Sequence, residues 1–145
     1  WVGPYVCVGL RNREAMIRLV PRQPDGEGRH PQASLEFRAS DGAANVYLAL
    51  AALIGAGLDG LKRQKAPINV AKNPELLGDQ ERKRLGLRLL PQSLPEALNA
   101  FDAKVASSWL GAELVDAYLA CRREDARQFC NMSDEEAATV LQRVY

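Results

Sequence analysis

Leu35-Glu36-Phe37-Arg38, followed by Ala39-Ser40-Asp41 and then an almost unbroken apolar run, is the stretch on which the reading of this chain turns. Alternation along a strand puts Leu35 and Phe37 on one face and Glu36 and Arg38 on the other. The carboxylate and the guanidinium then stand roughly 7 Å apart on one surface. A metal-binding oxygen beside an anion-binding fork suits chemistry on a phosphorylated substrate. The same residues also make an ordinary surface ion pair, and the tetrapeptide alone leaves both readings open. Directly after it, period two gives way to period 3.6. With Ser40 or Asp41 as cap, Val46, Leu50, Leu53, Ile54 and Leu61 predict a helix to about residue 61, where Gly60 offers a stop. Ala43, Ala44, Ala49, Ala51, Ala52, Gly55 and Gly57 keep its other faces small, as close packing of a central helix requires.

Working outward, residues 5–10 and 15–20 read as two strands, with the polar Arg11-Asn12-Arg13-Glu14 between them and Pro21 at the end. That pattern predicts a hairpin with an Asn-containing turn. Residues 22–32, rich in Gly and Pro, read as a loop that also holds His30, taken as a solvated or structural histidine. Residues 62–88 carry eight Lys/Arg and three acids without an interleaved aromatic, which argues for a solvated basic connector and against a nucleic-acid footprint. Ser93 with Glu96 forms a capping box ahead of Leu94, Leu98, Phe101 and Val105. A helix over residues 111–129 is expected to turn Leu114, Tyr118, Leu119 and Cys121 toward the core, and Ser133 with Glu136 starts the last one. The class is therefore α+β: short antiparallel strands in the first third, then a mainly helical C-terminal part. The segments are strands and loop at 1–40, a core helix at 41–61, the basic connector at 62–92 and a helical tail at 93–145.

Composition narrows the function classes. At 145 residues the chain is one domain's worth, long enough to bury a core. A formal net charge of +1 makes no global demand for nucleic acid or an anionic membrane. The longest apolar run, residues 46–58, is too short to span a bilayer and reads as a buried core helix. Cys7, Cys121 and Cys130 are odd in number and lack metal-ligand spacing, which points to a reducing cytoplasm. The first residue is Trp1, in front of a strand pattern with no polar lead-in, so the chain reads as a fragment of a longer polypeptide. From the residues alone, Glu36 and Arg38 near Arg13 and Arg18 either cradle a phosphoryl group and share a divalent cation or form a self-neutralising cluster.

Five segments resemble the glutamine synthetase family in order and spacing. Asn12-Arg13-Glu14-Ala15-Met16-Ile17-Arg18 is similar to its Asn-Arg motif with a second Arg five residues on, and Leu35-Glu36-Phe37-Arg38 to its Glu-x-Arg strand. Asp41-Gly42-Ala43-Ala44-Asn45-Val46-Tyr47-Leu48-Ala49 is similar to its Asp-x-x-Ala-Asn-Pro-Tyr-Leu-Ala helix. Residues 90–98 and 110–118 resemble its C-terminal helices. The resemblance implies the C-terminal part of the catalytic domain of an ATP-dependent glutamate–ammonia or glutamate–amine ligase that works through a γ-glutamyl phosphate. It implies Mg2+ or Mn2+, ATP as co-substrate, and a cytoplasmic homo-oligomer with neither nucleic acid nor membrane as partner.

By position, the resemblance makes Glu36 a metal ligand and Arg38 the contact to the glutamyl γ-carboxylate or its phosphorylated form. Arg13 and Arg18 become contacts to nucleotide phosphates, with Arg18 and Arg38 in the catalytic set. Ser34 stands where the family usually has an arginine, Val8 where it often has an aromatic, and Val46 replaces the common proline. The loop at residues 22–31 is similar to relatives that act on other amines, so a polyamine is an open substrate. A single carboxylate does not hold a catalytic divalent ion, so the segment alone is expected to be inactive. The alternative is a non-catalytic fragment that serves as an assembly module. Apolar surface normally covered by upstream strands is expected to be exposed.

Overall fold

In a computed structural model, residues 2–21 and 33–143 are described. Three strands, β1 (Val8–Leu10), β2 (Ile17–Pro21) and β3 (Ala33–Phe37), precede six helices. These are α1 (Val46–Lys62), α2 (Asp79–Leu85), α3 (Leu94–Ala100), α4 (Ala103–Leu110), α5 (Ala112–Phe129) and α6 (Asp134–Leu141), with one 3-10 turn at Pro74–Leu76. The α+β class holds. The chain divides into two compact units, Trp1–Asp41 with Gln64–Leu90, and Gly42–Arg63 with Pro91–Tyr145. The expected loop at 22–32, with His30, lies outside the described residues.

The first unit is a mixed sheet in the order β1-β2-β3. β2 and β3 are antiparallel, with Arg18 opposite Glu36 and Leu19 opposite Leu35. β1, however, runs parallel to β2, pairing Val8 with Ile17 and Leu10 with Leu19, so the expected hairpin does not form. Parallel neighbours ordinarily need a crossover of a dozen or more residues. Here residues 11–16 manage it because Asn12 turns inward instead of forming an exposed turn. Its amide donates to the carbonyls of Val70 (2.8 Å) and Lys72 (3.0 Å).

The basic connector is correspondingly built into this unit. Val8 N–H donates to Ile68 O and Val70 N–H to Val8 O, each at 2.8 Å, adding residues 68–70 to the free edge of β1. Cys7, Ala15 and Val70 form the core, with Ile68, Leu77, Leu85 and Leu87 packed on it. Arg82 ties α2 down by donating to the carbonyls of Glu75 and Leu77, and its guanidinium lies 5.7 Å from the ring centre of Tyr5. What reads as a charged loop is anchored through one arginine and five apolar side chains.

In the second unit, α1 starts later than the Ser40/Asp41 expectation. Asn45 is the cap, its Oδ1 accepting from the N–H groups of Tyr47 (3.0 Å) and Leu48 (3.2 Å). Gly60 does not stop the helix, which runs to Lys62. Nor is α1 a buried core helix: none of its residues is buried, and Tyr47 and Leu61 are 81% and 76% exposed. The expected exposure of apolar surface is concentrated on this helix. Its close contact is with α4, where Trp109 lies against Gly55.

The expected helix through Leu94 and Val105 breaks at Phe101, and Asp102 caps α4 by accepting from Val105 N–H at 3.0 Å. Ser93 caps α3, while the Glu96 carboxylate turns to the N–H of Gln92. α5 matches its expected span, but Val115 and Leu119 are its buried residues; Leu114, Tyr118 and Cys121 are exposed. Val115 and Leu119 form the core of this unit with Ala106, against Leu98, Phe101, Ala103 and Leu110. Ser133 and Glu136 cap α6 reciprocally, as their spacing predicts. Among the described residues no helix is long and apolar enough to cross a membrane.

Candidate functional site

The site is assembled by strand pairing. Antiparallel register puts Arg18 on β2 directly opposite Glu36 on β3. Alternation along the chain returns Arg38 to the face of Glu36, and Arg38 N–H donates to Met16 O at 2.9 Å, carrying the pairing one residue past β3. Cross-strand neighbours at opposite positions are close enough for their side chains to meet.

They do meet. Arg18 Nη1 straddles the carboxylate, donating to Oε1 at 3.3 Å and Oε2 at 3.2 Å. Arg38 Nη1 donates to Oε2 at 3.4 Å. These contacts are longer than the roughly 2.7–2.9 Å of a tight charge-assisted bond, so the carboxylate is bridged but not clamped. The Arg18 and Arg38 side chains are 20% and 24% exposed and that of Glu36 41%. Arg18 Nε is buried without a hydrogen-bond partner among the described residues. Two guanidiniums flank the Glu36 carboxylate on a half-sheltered face. Such a face attracts a phosphate or carboxylate group, and the guanidinium fork offers it paired donors.

Of the four residues singled out by sequence, Arg18, Glu36 and Arg38 are brought together. Arg13 is not part of that cluster: it sits exposed on the loop between β1 and β2 and makes no hydrogen bond or ion pair among the described residues. Asn12, a turn residue by its sequence context, is instead a buried structural amide. Its signal was an Asn flanked by two arginines and followed by an apolar run, a place where an amide can turn inward. Ser34, at the position of the family's usual arginine, is exposed and pairs with Val20.

The residues present do not by themselves fit a divalent cation. Among the described residues no three His, Cys, Asp or Glu side chains converge, and Glu36 is the one carboxylate at this face that the ion pairs involve. Hard divalent ions take six or more oxygen ligands. Glu36 supplies one.

Comparison with known proteins identifies the family. The model of the glutamine synthetase catalytic domain matches residues 1–139. A glutamine synthetase of Thermococcus kodakarensis is 43% identical over 95 residues, covering 65% of this chain and 20% of that protein. The γ-glutamylpolyamine synthetase GlnA3 of Streptomyces coelicolor is 35% identical across 100% of the chain and 31% of its own length. A glutamate–methylamine ligase of Methyloversatilis universalis is 33% identical over 98% of the chain and 30% of its own. A crystal structure described as a novel glutamine synthase homolog superposes with a TM-score of 0.75 at 30% identity, over 98% of this chain and 30% of that one. The chain thus spans between a fifth and a third of these relatives. It belongs to the glutamine synthetase family, as a segment of its catalytic domain.

Proposed function

We propose that this chain is the C-terminal part of an ATP-dependent ligase that joins glutamate to ammonia or an amine through a γ-glutamyl phosphate. The observation that carries the reading is the Glu36 carboxylate held between the half-sheltered guanidiniums of Arg18 and Arg38. In this reading Arg38 lies against the glutamate γ-carboxylate and its phosphorylated form, which needs positive charge as the phosphoryl group transfers. Arg18 and Arg13 take the nucleotide phosphates, and Glu36 gives one oxygen to Mg2+ or Mn2+. No step is assigned to the metal, because this segment does not complete its site. The long contacts at Glu36 support an exchange in which an incoming anion draws the arginines off the carboxylate and leaves its oxygens open.

Relatives named for polyamine and methylamine substrates stand beside others named glutamine synthetase, so an amine is as open a nitrogen donor as ammonia. The free thiols Cys7, Cys121 and Cys130 are in keeping with a cytoplasmic protein. The exposed apolar side chains of α1 are in keeping with assembly into a homo-oligomer.

The test is phosphate release and γ-glutamyl-amide formation by the complete polypeptide, with ammonia, methylamine and a polyamine offered in turn. Glutamate- and amine-dependent turnover is expected, falling about a hundredfold or more in Glu36→Gln. Turnover untouched by that substitution refutes the site, and no glutamate-dependent phosphate release with any amine refutes the ligase. The isolated chain is expected to stay at background with either metal, and turnover by it would overturn the claim that its site is incomplete.

A further inference from the structure

Asn12 is 5% exposed, unusual for a polar side chain in a surface connection. Its carboxamide uses both donors, on Val70 O at 2.8 Å and Lys72 O at 3.0 Å, while Oδ1 accepts from Glu14 N–H at 3.0 Å. The acceptors lie in and just after the segment that pairs with β1, so one side chain ties the β1–β2 loop to a residue 58 positions along the chain. The backbone around it is held just as firmly. Arg11 has a left-handed φ of 54°, and Ala15 is fully buried. Gly9 is approached so closely that an added Cβ would lie 2.5 Å from Asn12 Cβ and 2.9 Å from Val70 O. Arg13 stands in the middle of this pinned loop, between two residues joined by a side-chain bond, with its own side chain exposed.

We infer that Asn12 is a positioning residue, pinning the loop backbone so that Arg13 is offered to a polyphosphate anion from a fixed Cα position. An exposed arginine on a mobile loop loses backbone freedom each time it binds; held by Asn12, that ordering precedes binding. The identity of the anion as a nucleotide's phosphate chain rests on the ligase reading above. The pin itself rests only on the geometry. Aspartate cannot replace asparagine here: it lacks the donors and would set a charge against two carbonyl oxygens.

The test uses this chain with inorganic tripolyphosphate as probe, measured by isothermal titration. Arg13→Ala is expected to weaken binding about tenfold, the share of one charge-assisted contact. Asn12→Ser should weaken it by a similar factor, and the double variant no further than Arg13→Ala alone. Leu85→Ala, which loosens the same core without touching Asn12, should lower the unfolding midpoint yet bind as tightly as the parent. Unchanged binding by Asn12→Ser, full additivity in the double variant, equal loss in Leu85→Ala, or no binding by the parent chain would each overturn the inference. Its failure is separable from failure of the ligase reading. The pattern with tripolyphosphate can hold where no amide is formed, and a working ligase can tolerate Asn12→Ser with an unchanged KM for ATP.

Discussion

Gly55 and Gly57 lie two residues apart in α1; alanine at Gly57 is expected to stabilise the chain, and alanine at Gly55 to leave it unchanged or destabilise it. Both changes carry the same local gain, because alanine in a helix interior is favoured over glycine by about 1 kcal/mol. At Gly57 a new Cβ meets nothing within 4 Å, so that gain stands alone. At Gly55 the Cβ would lie 2.6 Å from Cγ, 2.7 Å from Cδ2 and 3.0 Å from Cβ of Trp109. Carbon atoms rest at about 3.5–4.0 Å, so the indole has to retreat by roughly 1 Å. Overpacking of that kind costs about 1–3 kcal/mol. Since the helix-propensity gain is common to both variants, it cancels in the comparison. The gap between Gly57→Ala and Gly55→Ala is therefore the packing cost itself, about 1–3 kcal/mol. Urea unfolding followed by helical circular dichroism measures it, and each kcal/mol should move the thermal midpoint by about 3 °C. Adding Trp109→Leu to Gly55→Ala removes the ring and should cost less than the single changes sum to. Two variants that shift together, or Gly55→Ala emerging as the more stable, would refute the close approach of Trp109 to α1.

Thiol chemistry checks the sheet-bearing unit. Cys7 is 3% exposed and its thiol is pushed up by burial, with the Met16 backbone partly opposing, whereas Cys121 and Cys130 are exposed. An aromatic disulfide reagent should label two thiols quickly in the native chain and the third only on unfolding; three equal rates would contradict the core. Acid should loosen the helices from their ends. Hydrogen bonds from Arg127, then Gln128, bring the Glu124 carboxyl down to about 2, and the backbone N–H and hydroxyl of Ser133 lower that of Glu136. Both folded values fall below the ordinary 4.5, so what these groups contribute is present above pH 4.5 and lost as pH falls through the folded values. Helical signal should therefore decline between pH 4.5 and about 2, and Glu124→Gln should flatten that decline. An acid transition identical in the variant would show that Glu124 has no part in it.

Features that depend on a few neighbouring residues were legible in the chain. The shared face of Glu36 and Arg38 follows from period two, and the cap at Ser133 follows from a side chain reaching backbone three residues on. The span of α5 follows from an unbroken helical pattern. Residues whose role depends on a distant partner were misread. Asn12 resembles a turn residue because its acceptors lie 58 and 60 residues away, and with that bond goes the direction of β1. Residues 62–88 look solvated because their apolar minority, Ile68, Val70, Leu77, Leu85 and Leu87, is spaced irregularly and finds its partners only on the sheet.

Among adjacent apolar residues in one helix, Val115 is buried and Leu114 is not, a choice made by which neighbour the helix meets. The apolar periodicity of α1 likewise announces a face without saying what covers it. By itself, then, the sequence determined the class, the family, the caps at Ser93 and Ser133 and the strand face of the candidate site. Tertiary structure alone decided that Arg18 meets Glu36, that Arg13 stands apart on a pinned loop, and which apolar residues are core. The physical reason is one of range: side-chain period and capping act within a turn or two of chain, whereas register, burial and ion pairing are settled by groups that only folding brings together.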